Sequence, residues 1–196
     1  MHPTPSATLI GLFALAAALL GNTASVSAQA ISYSRIQVGG PGGGPFEDTC
    51  RPNDVLIGFN YTAGKALNQI AGVCQAENNG ALVGANYGLR TWGHWDNSGP
   101  YGATGNVRCP PGQAVTSLHV WVDKFHEVHN VRATCSPLVG GGQGTYLNST
   151  DNMGGQAYSD GSTPCPPLTL AIGLTGGYGA LIDRLGLKCS TFPWHH

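Results

Sequence analysis

The six cysteines of this 196-residue chain are spaced in a way that indicates an internal repeat. Their successive separations are 24, 35, 26, 30 and 24 residues, which alternate between shorter and longer. Three copies of one Cys-to-Cys unit would produce such an alternation. The three units are Cys50–Cys74, Cys109–Cys135 and Cys165–Cys189, and the second carries two extra residues in its middle.

The three units share an internal pattern that is typical of a β-hairpin. Each has a proline two residues after its first cysteine, then an apolar segment, a turn and a second apolar segment. Helical periodicity is absent, so each unit is predicted to form two short strands. Apolar residues stand seven and four positions before each closing cysteine, and we expect them in the core: Leu67, Ile70, Val128, Val131, Ile182 and Leu185.

The cysteines are predicted to form disulfides rather than a metal or redox site. Their number is even, and no Cys-x-x-Cys occurs, which argues against a zinc knuckle or a redox pair. Six cysteines can pair in many ways, but pairing within each unit is the simplest, because every bridge then closes its copy alike. The predicted bridges are Cys50–Cys74, Cys109–Cys135 and Cys165–Cys189, each stabilising by roughly 3 kcal/mol in the chain-entropy model.

A glycine-containing turn and an aromatic residue precede each unit. The aromatic residues are Phe46, Tyr101 and Tyr158, and each is predicted to begin a further strand with a core side chain. A repeat of about 55 residues cannot bury its apolar face alone, so the copies are expected to pack around a common axis. This predicts one domain whose repeats span approximately 31–84, 85–138 and 139–196.

Composition supports an all-β globular protein and excludes several functional classes. The 30 glycines and 13 prolines disfavour long helices. The chain is 41% hydrophobic and 10% charged, which is unlike a disordered segment. A formal net charge of -1 argues against binding to nucleic acid or to an anionic membrane surface.

The N-terminus has the features of a secretory signal peptide. The apolar run over residues 9–20 is too short to span a bilayer. Small residues follow, and Val26-x-Ala28 or Ala28-x-Ala30 fits a cleavage site. We therefore predict a signal peptide over 1–30 and a mature domain over 31–196. The mature protein is expected to be extracellular, or periplasmic in a bacterium, and not an integral membrane protein.

Two segments resemble the jacalin-type lectins. Residues 38–48 (VGGPGGGPFED) resemble the opening of that family, and residues 177–187 (GYGALIDRLGL) resemble its carbohydrate loop, Gly-x-x-x-Asp. The threefold repeat with cysteines also resembles vitelline membrane outer layer protein I. These resemblances imply a β-prism I fold with pseudo-threefold symmetry, in which three antiparallel four-stranded sheets form the faces of a prism.

The resemblance also implies a sugar site between the glycine turn and the Gly-x-x-x-Asp loop. Carried onto this chain, it selects Gly42, Gly43, Tyr178, Gly179, Ala180, Leu181 and Asp183. An ionised aspartate accepts hydrogen bonds from sugar hydroxyls, and glycines allow a close approach of the backbone. The alternative for Asp183 is a turn residue, or a partner of Arg184 or of a backbone N–H.

The other two units depart from the Gly-x-x-x-Asp pattern. In the first unit, Gly64 and Asn68 occupy the corresponding positions, so a second site there is expected to be weaker, because asparagine carries no charge. The second unit has the segment Phe125–His129, with neither the glycine nor the aspartate. The segment Trp92–Asp96 is interpreted either as a sugar-stacking loop or as core aromatic residues.

Catalytic and metal sites are not favoured. No nucleophile elbow or His-Glu-x-x-His motif occurs, and the glutamates Glu47, Glu77 and Glu127 lack the apolar context of a general acid. The three histidines His119, His126 and His129 are not expected to form a metal site, because residues three apart on a strand point to opposite faces. No cofactor is predicted.

The sequence thus predicts a secreted, non-catalytic carbohydrate-binding protein whose partners are glycans or glycoconjugates. The alternative is a structural or protein-interaction component of an extracellular layer, and a glycan-processing enzyme is less favoured. The sequence is compatible with a homo-oligomer. Asn60 and Asn148 begin glycosylation sequons that matter only in a eukaryotic secretory pathway.

Overall fold

The computed structural model describes residues 31–33, 36–94, 103–138, 145–147 and 157–192. The predictions for the signal peptide, for Trp95 and Asp96 of the Trp92–Asp96 segment, and for Tyr101 and Asn148 lie outside these residues. The described residues form an all-β structure whose strands are β1 (Ile31–Tyr33), β2 (Val38–Gly39), β3 (Gly44–Thr49), β4 (Asp54–Ala63), β5 (Leu67–Asn78), β6 (Ala81–Gly88), β7 (Trp92–Gly93), β8 (Ala103–Arg108), β9 (Gln113–Val122), β10 (Val128–Pro137), β11 (Thr145–Leu147), β12 (Ser159–Pro164), β13 (Thr169–Tyr178) and β14 (Ile182–Thr191). In this part of the chain, no helix is long and apolar enough to cross a membrane.

The strands form three antiparallel sheets, as predicted. Sheet A has the order β1-β14-β13-β3, with β2 also paired to β14. Sheet B has the order β6-β5-β4-β8, with β7 also paired to β5, and sheet C has the order β11-β10-β9-β12. Two short strands share one edge in each of sheets A and B: β1 and β2 both pair with β14, and β6 and β7 both pair with β5. Each of the three sheets therefore has four rows of strands.

Each Cys-to-Cys unit forms the central hairpin of one sheet: β4–β5, β9–β10 or β13–β14. The six apolar residues predicted for the core are all 0% exposed: Leu67, Ile70, Val128, Val131, Ile182 and Leu185. They pack with other inward-facing side chains, such as Leu56, Phe59 and Leu118, into one cluster between the sheets. Burial of these apolar side chains is the main stabilising contribution to the prism.

In sheets B and C the third strand comes from the segment that precedes the next unit along the chain, and in sheet A, whose hairpin is the last unit, it comes from the segment that precedes the first unit. Thus β3 pairs with β13, β8 with β4, and β12 with β9. Phe46 on β3 is buried as predicted, but the prediction for Tyr158 is wrong, because its side chain is 70% exposed. Tyr158 lies just before β12 begins, and its ring contacts the edge of His126 instead of entering the core.

The predicted disulfides are confirmed: Cys50–Cys74, Cys109–Cys135 and Cys165–Cys189, with Cα atoms 5.8, 5.7 and 5.7 Å apart. The first cysteine of each bridge is hydrogen-bonded to one sheet through its backbone N–H. Cys50 donates to the carbonyl oxygen of Ile172 in sheet A, Cys109 to that of Ile57 in sheet B, and Cys165 to that of Thr116 in sheet C. The partner cysteine lies in the next sheet, on β5, β10 or β14 respectively. Each bridge therefore joins two neighbouring sheets, and the three bridges together connect all three sheets in a ring.

Candidate functional site

The three central hairpins turn at the same end of the prism, which we call the turn end. The backbone N–H of Gly40 donates to the carbonyls of both His126 and Asp183, at 2.8 Å each, so two turns meet at the glycine segment. The Nδ1 atom of His129 lies 2.6 Å from the carbonyl oxygen of Lys65, which brings in the third turn. The disulfides lie toward the other end, since Cys74 follows Leu67 by about 23 Å of extended strand.

A β-bulge follows each of these turns, and it places one extra residue opposite the partner strand. In sheet A, Gly177 pairs with Arg184 and Tyr178 with Ile182, which leaves Asp183 as the extra residue. The corresponding extra residues are Asn68 in sheet B and His129 in sheet C. A bulge redirects a side chain that regular alternation would place elsewhere. The extra residue also explains why two residues three positions apart, such as Leu67 and Ile70, are both buried.

The carboxylate of Asp183 lies directly against three glycines. A Cβ atom added to Gly42 would lie 2.4 Å from Oδ1, and one added to Gly43 would lie 2.4 Å from Oδ2. A Cβ on Gly179 would lie 3.6 Å from Oδ2. The Oδ2 atom is buried and has no hydrogen-bond partner among the described residues. The fold therefore brings together Gly42, Gly43, Gly179 and Asp183, and it leaves one carboxylate oxygen unsatisfied.

Arg184 holds the glycine turn and does not pair with Asp183. Its Nη1 donates to the carbonyl oxygen of Gly42 at 2.5 Å, and its Nε donates to Oε1 of Gln37 at 3.0 Å. The alternative interpretation of Asp183 as the partner of this arginine is thus not supported. The guanidinium instead connects β14 to a segment that lies more than 140 residues earlier in the chain.

Gly43 is expected to tolerate no side chain. Its φ is +69°, and a Cβ atom would also lie 2.5 Å from the carbonyl carbon of Tyr178. We expect Gly43→Ala to lower the free energy of unfolding by about 1–2 kcal/mol or more, because an L-residue is strained in this region. Urea denaturation measures the loss. Gly179→Ala is the control, since its Cβ has ordinary contacts and should change stability by less than about 0.5 kcal/mol. Equal effects would contradict this account.

Tyr178 belongs to an aromatic cluster at the corner of sheets A and B. Its ring lies 6.1 Å from that of Phe46 and 5.5 Å from that of Trp92, and Trp92 stacks on Phe46 at 5.3 Å. The interpretation of Trp92 as a core aromatic residue is therefore favoured over sugar stacking. The predicted site residues Ala180 and Leu181 form the tip of the turn, where Gly179 donates to the carbonyl oxygen of Leu181 at 2.9 Å.

The first unit repeats part of this geometry. Gly64 donates to the carbonyl oxygen of Ala66 at 3.0 Å, in the same way as Gly179 does to Leu181. A Cβ on Gly93 would lie 2.0 Å from the carbonyl oxygen of Asn68, and one on Gly39 would lie 2.1 Å from that of Asp183. Sequence reasoning missed that Trp92–Gly93 on β7 is the counterpart of Val38–Gly39 on β2. A tryptophan replaces the valine, so no shared motif connects the two segments.

The second unit does not have this arrangement of a turn glycine and a polar bulge residue beside a second glycine. His129 occupies the bulge position, is 4% exposed and contacts the Lys65 carbonyl. The same turn brings Glu127 near Asp183. Burial raises the pKa of the Glu127 carboxyl, and the negative charges of Asp123 and Asp183 raise this pKa further. The expectation that Glu127 lacks surroundings that raise a carboxyl pKa is therefore wrong, and sequence reasoning missed that this carboxyl lies near Asp183. Among the described residues, no group of three potential metal ligands occurs.

Comparison with known proteins identifies the fold. Malaysian banana lectin is similar over 84% of this chain and 99% of its own, with a TM-score of 0.57 and 14% identity. A mannose-specific jacalin-related lectin from Morus nigra, in complex with mannose, covers 86% of this chain and 98% of its own (TM-score 0.54, 16% identity). Frutapin, a lectin from Artocarpus incisa, covers 83% and 97% (TM-score 0.56, 14% identity). No family model and no curated protein sequence matches the chain. The three-sheet architecture and these similarities show that the chain has the β-prism fold of the jacalin-related lectins.

Proposed function

We propose that this protein is a secreted carbohydrate-binding protein that holds a sugar, without processing it, at the turn end of the prism. The observation that carries the proposal is the Asp183 carboxylate, whose Oδ2 is buried and unpartnered beside Gly42 and Gly43. A buried acceptor without a donor costs about 1–3 kcal/mol. A hydroxyl group of a bound sugar would supply the missing donor when the carboxylate rotates Oδ2 toward the exposed glycines.

The surroundings of the carboxylate suit a sugar ring. Gly42, Gly43, Gly179 and Ala180 are exposed, and their small size leaves the backbone accessible beside Asp183. Adjacent hydroxyls of a pyranose can donate to a carboxylate while accepting from backbone N–H groups. Tyr178 and Leu181, which are both half-buried, complete the proposed site. The similar lectin from Morus nigra is described as mannose-specific, so mannose is the first sugar to test.

Two further elements of the proposal concern number and compartment. A weaker second site at Gly64 and Asn68 follows from the shared turn geometry, with an uncharged acceptor in place of the carboxylate. Three disulfides and no free cysteine among the described residues suit an oxidising compartment. We accordingly propose export by the signal peptide over residues 1–30.

Asp183→Asn is expected to weaken sugar binding about ten- to hundredfold. The substitution keeps the shape but removes the charge from a hydrogen bond that contributes about 1.5–3 kcal/mol. Titration calorimetry with mannose, together with a glycan array on the disulfide-bonded protein, measures the change. Asp160→Asn, on the outer face of sheet C, is the matched control and should bind as the parent does. If the parent binds no glycan, or if both variants bind equally, the proposed site is wrong and a structural role is favoured.

A further inference from the structure

The outer face of sheet C carries a cluster of polar and aromatic side chains on β9, β10 and β12. Strand alternation places His119 and Trp121 of β9 on the outer face, where both are half-buried, and their register neighbours on β12 are Ser162 and Asp160. Arg132 on β10 pairs with His119 from the other side. All five side chains therefore lie on one face of three adjacent strands.

Within this cluster, His119 contacts a carboxylate and a hydroxyl at the same time. Its Nε2 lies 2.9 Å from Oδ2 of Asp160, and its Nδ1 lies 3.0 Å from Oγ of Ser162. An ionised carboxylate only accepts hydrogen bonds, so Nε2 carries the proton in the neutral imidazole. The Nδ1 atom is then an acceptor, and the Ser162 hydroxyl donates to it.

The imidazole is also held by packing. The rings of His119 and Trp121 lie 4.2 Å apart, and the guanidinium of Arg132 lies over the same indole at 5.2 Å. These contacts restrict rotation of His119, while Asp160 selects its tautomer. A serine hydroxyl within hydrogen-bond reach of an imidazole, which a carboxylate in turn orients, is the arrangement that activates a serine as a nucleophile.

We propose that Ser162 is a base-activated nucleophile toward short-chain acyl esters with good leaving groups, with His119 as the general base and Asp160 as its positioning residue. As Oγ bonds to the carbonyl carbon, its proton passes to Nδ1 of His119. The ester C–O bond breaks, and the leaving phenolate or alkoxide keeps the electron pair and takes this proton. Water then attacks the acyl-serine by the same route and releases the carboxylic acid. Ser162 is exposed, so the ester reaches it from solvent.

The test uses the intact disulfide-bonded protein and a fluorophosphonate probe, which phosphonylates an activated serine as its P–F bond breaks and fluoride leaves. Peptide mapping is expected to find the label on Ser162, and Ser162→Ala should abolish it. Ser117→Ala, which removes a serine hydroxyl on the neighbouring strand β9, is the matched control and should react as the parent does. Hydrolysis of p-nitrophenyl acetate, followed by phenolate release, is the second measurement.

Asp160→Asn is expected to slow both reactions at least tenfold and Asp160→Glu less, because the carboxylate positions the reactive tautomer. The charged groups that face His119 from the neighbouring strands are Asp160 and Arg132. A network that only connects strands would give equal labelling of Ser162 and other exposed serines, or would leave both reactions unchanged in Asp160→Asn. Either result, or undiminished labelling of Ser162→Ala, overturns the proposal, and circular dichroism verifies that each variant is folded.

Discussion

Removal of the Cys109–Cys135 bridge, in the double variant Cys109→Ser/Cys135→Ser, is expected to lower the free energy of unfolding by about 3–4 kcal/mol. The bridge closes a loop with a sequence separation of 26. It also joins two sheets, because Cys109 is hydrogen-bonded to Ile57 in sheet B while Cys135 lies on β10 of sheet C. A domain of this size is typically stable by only about 5–15 kcal/mol, so the loss is a large share of the total.

Urea denaturation of the oxidised proteins measures this loss. The corresponding double variants at Cys50–Cys74 and Cys165–Cys189 serve as internal comparisons, because their separations are both 24 and each also joins two sheets. The three losses should agree within about 1 kcal/mol, which is the usual scatter between similar contributions. A loss below about 1 kcal/mol for all three would contradict the assignment of the bridges as the connections between sheets.

Gly176→Ala is expected to cost about 2–3 kcal/mol, although it adds a single methyl group. A Cβ at this position would lie 2.2 Å from the carbonyl oxygen of Arg184 and 2.7 Å from the ring of Phe46. The neighbouring strand and the Phe46 ring therefore both have to move, and overpacking of this kind destabilises cores by about 1–3 kcal/mol. The shift of the thermal and urea midpoints measures the effect.

Gly88→Ala is the matched control, because nothing lies within 4 Å of a Cβ at that position. It should change the free energy of unfolding by less than about 0.5 kcal/mol. The double variant Gly176→Ala/Phe46→Leu should be more stable than Gly176→Ala alone if overlap with the Phe46 ring causes part of the loss. An unaltered midpoint for Gly176→Ala would show that sheet A is less closely packed than described.

Gly176 and a second glycine, Gly105, show why the exact pairing of strands was not predictable. In sheet A, Phe46 on the third strand faces Gly176 on the hairpin, whereas in sheet B the hairpin residue Tyr61 faces Gly105. The large and small members have exchanged strands between the two sheets. An alignment of the repeats looks for like residues at like positions, so it assigned Tyr158 to the core, where the structure has no place for it.

Part of the site was predictable, because several of its residues lie in two local sequence motifs. Gly179 and Asp183 lie in one local motif, and the glycine turn is a second motif, so resemblance could select both. The bulge that turns Asp183 toward Gly42 and Gly43 depends on the pairing of β13 with β14. Glu127 reaches this region only because the turn of sheet C packs against Gly40.

The sequence by itself determined the features that depend on neighbouring residues: the three hairpins, their buried apolar positions and the three disulfides. Each follows from spacing within about 25 residues, where strand alternation and loop closure constrain the chain directly. Only the tertiary structure decided which strand completes each sheet and what surrounds Asp183. Those contacts join segments some 140 residues apart, as between Arg184 and Gly42, and they form only when the three sheets close into a prism.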